Sequence, residues 1–134
     1  KVTSFVRSEI RSLLMSLNAF IEVENDFIRL KDFEKLVVRI PKVDSEYLRP
    51  VNYICDGELL LAMTTIVRKS FGVTPDDLFV VTARELGYKR TGENITSALR
   101  RVYQAALNSK ELKEIDGKVA MDNSSFTSSK VCRI

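Results

Sequence analysis

The sequence contains no histidine and no tryptophan, and it has only two cysteines and three prolines in 134 residues. The absence of histidine excludes Ser-His-Asp triads and histidine-containing zinc sites. Cys55 and Cys132 lack CxxC spacing, which is typical of reduced cytoplasmic thiols, so we do not expect a disulfide. No GxxxxGK[ST] phosphate loop occurs either. We therefore expect a non-catalytic chain with no metal and no cofactor.

Long hydrophobic runs are also missing. The longest, Leu59–Met63, is far shorter than the roughly 20 residues that cross a bilayer. A content of 45% hydrophobic and 29% charged residues predicts one compact domain or two very small ones, and the isolated cysteines indicate a cytoplasmic protein. The net charge of +3 permits an acidic partner without requiring one. The sequence begins at Lys1 with no secretory pattern, so we expect a piece of a longer protein.

The first 43 residues predict a helix followed by a β-hairpin. Apolar residues at helical spacing favour a helix from Phe5 to Leu17 with Ser4 as its N-cap. Alternating residues in Ile21–Leu30 predict two strands joined by a turn at residues 24–26. The β-branched run before Pro41 predicts an extended linker strand. We interpret residues 1–43 as a partial winged-helix-like module.

Residues 44–121 predict a more complete arrangement of helix, helix, turn, helix and hairpin. The order is that of a winged helix, so the expected fold class is α+β, of winged-helix or helix-turn-helix type. A tandem with a truncated first copy is one interpretation of the whole chain. The polar tail at residues 122–134 is expected to be loosely held. The local signals are the cap Asp56, the start Thr74-Pro75, the stop Gly87, the helix from Thr91-Gly92 to Asn108, and the turn Asp116-Gly117.

Aromatic and acidic residues invite functional interpretations that the pattern makes less favourable. Tyr88 and Tyr103 are candidates to stack on bases, although one of them should pack beside the turn. Asp76 and Asp77 are expected to cap a helix rather than to bind metal. Glu22 and Glu24 are expected to line the solvent-facing side of a strand. Five phenylalanines are expected in the core: Phe5, Phe20, Phe27, Phe33 and Phe71.

The junction between the second and third helices of residues 44–121 is the candidate nucleic-acid site. In a helix-turn-helix, the second helix enters the major groove by its N-terminal end. Glu93 and the mixed charges of the second hairpin oppose phosphate binding, so we expect only about three or four neutralised phosphates and weak, salt-dependent contact. The candidate residues are Lys89, Arg90, Thr91, Ser97, Arg100, Arg101 and Gln104.

The run from Arg49 through Val119 resembles the small C-terminal domain, of unassigned function, in large bacterial helicase-like ATPases. Many of those proteins also carry a nuclease domain similar to very-short-patch-repair endonucleases. The resemblance implies an accessory module of a DNA-processing ATPase, and it supplies no catalytic residues. The matching positions are Arg49, Glu58-Leu59, Ala62, Asp77-Leu78, Ala83-Arg84, Leu86-Gly87-Tyr88, Arg90-Thr91-Gly92, Ile95, Leu112 and Asp116-Gly117 with Val119, preceded by the linker-like Val37 to Pro41.

Two hypotheses from different classes follow. The first is an accessory domain that helps a parent helicase or nuclease to hold DNA through the basic junction. The second is a protein-interaction or domain-packing module without nucleic-acid contact, in which the hairpin edge at Ile21–Leu30 pairs with a neighbouring domain or with a second copy of the chain.

Overall fold

The protein has a mixed α+β fold. Its structure, a computed structural model, describes residues 2–24, 27–31, 36–42 and 47–122, so Phe33, Cys132 and the predicted tail from residue 123 lie outside the described residues. Four helices and two small antiparallel hairpins are described. They are α1 (Ser4–Ser16), β1 (Ile21–Glu24), β2 (Phe27–Leu30), α2 (Asp56–Lys69), α3 (Pro75–Glu85), α4 (Glu93–Asn108), β3 (Leu112–Ile115) and β4 (Lys118–Met121), with a 3-10 turn at Val51–Tyr53.

The chain divides into two compact units between residues 35 and 36, which is earlier than the boundary predicted after residue 43. The reason is that the linker packs on the second unit. The side chain of Leu36 lies against Gly57 at the start of α2, and Val38 packs against the second unit's core. Residues 36–42 form neither helix nor strand, although the sequence favours an extended strand there.

The first unit contains α1 and the β1–β2 hairpin. Thr3, not Ser4, caps α1, and its hydroxyl oxygen accepts a hydrogen bond from the Val6 amide at 3.4 Å. In the hairpin, Val23 lies opposite Ile28. Among the described residues of α1, none is buried, so the predicted helix and hairpin form without burying the helix's apolar side chains.

The second unit holds the hydrophobic core. Helix α2 contacts α3, α4 and β4, and α4 also contacts β3 and the 3-10 turn. The predicted cap at Asp56 is wrong, because Cys55 occupies that position and Asp56 is the first helical residue, paired through its carboxylate with Arg101. The core includes Leu59, Met63, Leu78, Leu99, Val102, Leu112 and Val119.

The phenylalanine assignments are largely wrong. Phe5, Phe20 and Phe71 are exposed, because hydrophobicity alone does not say which side of an element faces the core. Phe71 follows Ser70, the C-cap residue of α2, and precedes Gly72, which has a positive φ. Phe27 is half-buried. The phenylalanine that fills the core is instead Phe79, which packs edge-on against a tyrosine ring of α4.

The β3–β4 hairpin gains a third backbone segment from the chain between α2 and α3. The predicted turn is confirmed, since Asp116 and Gly117 have φ values of 51° and 74°, as a two-residue hairpin turn of the I′ type requires. Val73 forms a β-bridge with Val119, and the Val119 amide donates to the Val73 carbonyl at 2.8 Å. This bridge ties the α2–α3 connection to the hairpin.

Helix α3 begins and ends where the sequence predicts. The Thr74 hydroxyl oxygen accepts from the Asp77 amide at 3.2 Å, and Pro75 occupies the first turn. After Leu86, Gly87 adopts a φ of +93°, a conformation that costs other residues about 1–2 kcal/mol. The turn that leads to α4 therefore depends on a glycine at residue 87.

Replacing Gly87 with alanine is expected to lower the free energy of unfolding by about 2–3 kcal/mol, measured by urea denaturation. A Cβ there would collide with Pro41 and lie 3.1 Å from Leu48 Cδ1. Gly92→Ala is the matched control, because Gly92 has a φ of −75° and open space around its Cα. Equal losses in the two variants would contradict the assigned role of the turn.

Candidate nucleic-acid interface

Two hydrogen bonds of the buried Tyr88 fix the turn between α3 and α4. The Tyr88 amide donates to the Ala83 carbonyl at 2.9 Å, and the buried Tyr88 hydroxyl donates to the Arg49 carbonyl at 2.6 Å. With Tyr88 turned inward, the next two residues, Lys89 and Arg90, are exposed. The hydrogen bonds of Tyr88 thus fix the backbone from which both cations project.

Helix α4 presents its polar face next to this turn. Gly92 is the N-cap, and the amides of Ile95 and Thr96 donate to its carbonyl at 3.1 and 3.0 Å. The opposite side of the helix is buried against the core. Of the remaining predicted site residues, Thr91 is half-buried in the turn, and Ser97, Arg100, Arg101 and Gln104 are exposed on α4.

The predicted cations are not equivalent. Arg101 Nη2 lies 2.5 Å from Asp56 Oδ1, so its charge is largely neutralised by the start of α2. Both side chains are exposed, and such surface pairs contribute only about 0–1 kcal/mol to stability. Lys89, Arg90 and Arg100 take part in no ion pair or side-chain hydrogen bond within the described residues. The surface therefore offers these three cations to an anionic ligand.

The charge arrangement limits what this surface can bind. Glu93 is exposed in the first turn of α4, where its carboxylate would repel a phosphate approaching the helix start. On the hairpin, the exposed Asp116 offsets the exposed Lys118. Three unpaired cations opposed by nearby acids fit weak, non-specific contact with a polyanion rather than tight binding.

Neither predicted stacking tyrosine is available to a ligand. Tyr88 and Tyr103 are both buried in the core, and their hydroxyls make hydrogen bonds within the protein. The Tyr103 hydroxyl donates to Glu114 Oε2 at 3.1 Å, and its ring packs edge-on against Phe79 with centroids 5.6 Å apart. Burial, with the hydrogen bond to Glu114, raises the pKa of Tyr103 to about 12.

A buried carboxylate beneath the linker was missed by the sequence analysis. The Glu58 side chain is 0% exposed and accepts hydrogen bonds from two arginines. Arg49 Nη2 donates to Oε1 at 2.7 Å and Arg49 Nη1 to Oε2 at 3.2 Å. Arg39 donates from Nη2 to Oε2 and from its backbone amide to Oε1, each at 2.8 Å. We call Glu58, Arg39 and Arg49 the linker clamp, since it fastens the linker to α2.

The protonation of Glu58 reflects a competition between burial and these donors. Burial by itself raises the pKa of Glu58, but the hydrogen bonds from Arg49 and Arg39 outweigh it and lower the pKa to about 2. The same hydrogen bond to Glu58 raises the pKa of Arg49. The clamp is therefore fully ionised at neutral pH.

The linker clamp is connected to the candidate interface through Tyr88. The carbonyl of Arg49 accepts the Tyr88 hydroxyl hydrogen bond, and Arg49 also donates to the Arg39 carbonyl at 3.0 Å. The sequence did hold one signal for the clamp, because Glu58 is an acid next to Leu59 on the apolar side of α2.

Comparison of the chain with protein-family models, with curated proteins and with solved structures finds no match. Among the described helices, none combines the length and apolar character that crossing a membrane requires. Over the described ranges, no group of three or more cysteine and acidic side chains is arranged to hold a metal ion. Cys55 is a free thiol.

Proposed function

We propose that the second unit is a winged-helix domain that serves as a non-catalytic, accessory DNA-binding module of a larger cytoplasmic helicase- or nuclease-type protein. The order of its elements supports this fold. Helices α2, α3 and α4 precede the β3–β4 hairpin, and Val73 adds a bridging segment to β4 between α2 and α3. In the proposed winged helix, α4 is the recognition helix and β3–β4 is the wing.

The observation that carries the DNA-binding proposal is the set of three unpaired cations on a rigid support. Lys89 and Arg90 project from a turn fixed by Tyr88, and Arg100 lies two helical turns into α4. A phosphate backbone running past the N-terminal half of α4 would meet all three. Ser97 and Gln104, exposed on the same helix, add hydrogen-bonding groups for sugar, phosphate or base edges.

The proposed parent is supported by the resemblance and by the role of the matching residues. Arg49, Glu58 and Tyr88 form one hydrogen-bonded network that fastens the linker and the turn. Such a module would position DNA, while any ATPase motor or nuclease would lie elsewhere in the parent protein. The module's own contribution is electrostatic contact with the phosphate backbone.

The proposal predicts where a DNA duplex touches the full chain in solution. On titration of the ¹⁵N-labelled protein with a 12-base-pair duplex at low salt, amide shifts should concentrate in residues 88–104, at the turn and on α4. Few or no shifts should appear in α1 and in the β1–β2 hairpin. An interaction module without nucleic-acid contact would show no shifts at residues 88–104, and that result would overturn the proposal.

A further inference from the structure

The first unit contains an open apolar groove between α1 and the β1–β2 hairpin. Its volume is about 560 Å³, within the roughly 300–1,000 Å³ of ordinary ligand pockets. Helix α1 lines it with Ile10, Leu14 and Met15, and the hairpin lines it with Val23 and Ile28. Two elements thus turn apolar side chains toward the same unfilled space.

The elements around this groove lack the packing that normally holds such elements in place. An isolated helix of 13 residues is marginal in water, and so is an isolated two-stranded hairpin. Within the described residues, α1 buries none of its side chains. A further element laid in the groove would bury the facing sides of both and complete a small core.

The rim of the groove specifies the charge of the occupant. Arg7 and Arg11 line it one helical turn apart, and the described lining includes no carboxylate. Neither arginine takes part in an ion pair or side-chain hydrogen bond in the described parts of the chain. Two unpaired guanidinium groups beside an apolar floor are complementary to an apolar segment flanked by carboxylates.

We propose that this groove binds an amphipathic helix whose apolar stripe is flanked by aspartate or glutamate. A helix fits better than an added strand, because the groove is lined by side chains of α1 and of one face of the hairpin. Helix-in-groove recognition uses apolar anchors at positions i, i+3, i+4 and i+7, which match a floor of aliphatic residues. The site is independent of the proposed DNA contact, since every lining residue lies in the first unit.

The test uses the full chain and two labelled helical peptides with the same leucine stripe, one flanked by glutamates and the other by lysines. By fluorescence polarisation, the glutamate peptide should bind at least about tenfold more tightly than the lysine peptide, as expected for complementary charges around a groove. The double variant Arg7→Glu with Arg11→Glu should reverse that order. Failure of both peptides to bind, or equal binding of both, would overturn the proposal.

A matched pair of variants on α1 tests whether the groove itself is the site. Met15 lines the groove and is 66% exposed, whereas Leu13 is 62% exposed and lies outside the lining. Met15→Asp should weaken binding of the glutamate peptide at least about tenfold, and Leu13→Asp should leave its affinity unchanged. If the free chain is instead a dimer that Met15→Asp dissociates, a second copy occupies the groove and the proposal is wrong.

Discussion

Replacing Arg49 with methionine is expected to lower the free energy of unfolding by about 3 kcal/mol, because it leaves a buried carboxylate without its main partner. Glu58 is 0% exposed and receives two hydrogen bonds from each arginine side chain, but Arg49 is only 22% exposed. Arg39 is 62% exposed, so water can replace much of the hydrogen bonding that its side chain gives to Glu58. Its backbone amide would still donate to Glu58 in an Arg39→Met variant.

Urea denaturation of the two variants distinguishes the arginines. Arg39→Met should cost only about 1 kcal/mol, as for a largely solvated charge pair, and should retain the linker on α2. An Arg49→Met loss of only about 1 kcal/mol, as small as that expected for Arg39→Met, would show that the linker clamp behaves as a surface ion pair. In that case Arg49 would not be the residue that fixes the linker and, through its carbonyl, the turn before α4.

The same carboxylate makes stability depend on pH in a definite direction. The pKa of Glu58 is about 2 in the folded protein, against an ordinary value of 4.5, so unfolding raises its proton affinity. Its contribution, about 3 kcal/mol, is present above pH 4.5 and is lost as the pH falls toward 2. Glu58→Gln removes this group, so its unfolding free energy should fall less than that of the wild type between pH 5 and pH 2.5.

Reversing the charge of Arg90 and Arg100 together is expected to weaken duplex binding at least about tenfold at low salt. Both side chains are exposed and unpaired in the described part of the chain, so the change removes contacts to phosphate without removing an internal interaction. Reversing Arg68 and Lys69, exposed in the last turn of α2, changes the net charge equally. That control variant should bind DNA nearly as well as the wild type.

A finer comparison uses the two neighbouring arginines of α4. Arg100→Gln should reduce the salt dependence of binding by about one phosphate equivalent. Arg101→Gln should change it less, because Arg101 is already paired with Asp56.

If the control reversal at residues 68 and 69 weakens binding as much as reversal at residues 90 and 100, the contact is a diffuse effect of net charge rather than a surface on α4.

Local signals predicted most of the second unit. Thr74-Pro75 at a helix start, Gly87 at a helix end and Asp116-Gly117 in a hairpin each act through the backbone of a few adjacent residues. Their effects therefore survive in the folded chain. The exposure of Lys89 and Arg90 follows from the same local effect. In a short turn between two amphipathic helices, the residues beside the one that packs inward, here Tyr88, are left on the surface.

Features that depend on contacts distant in sequence were predicted poorly. Asp56 has the chemistry of a cap, but its carboxylate is engaged by Arg101, 45 residues away. The local sequence around Glu58 does not show that Arg39 from the linker and Arg49 from the segment before the 3-10 turn will pair with it. Tyr88 is a plausible stacking residue until its hydroxyl reaches the Arg49 carbonyl, 39 residues away. The spacing of apolar residues along the sequence gives no information about such distant pairings.

The most direct test of the proposed function is a fluorescence-polarisation titration of the full chain on a short labelled duplex and on a single strand, repeated from 25 to 200 mM salt. Three available cations predict weak binding to the duplex, with a slope of log K against log salt of about −3. Binding that is undetectable at 25 mM salt, or that does not change with salt, would contradict a DNA-contacting role for Lys89, Arg90 and Arg100.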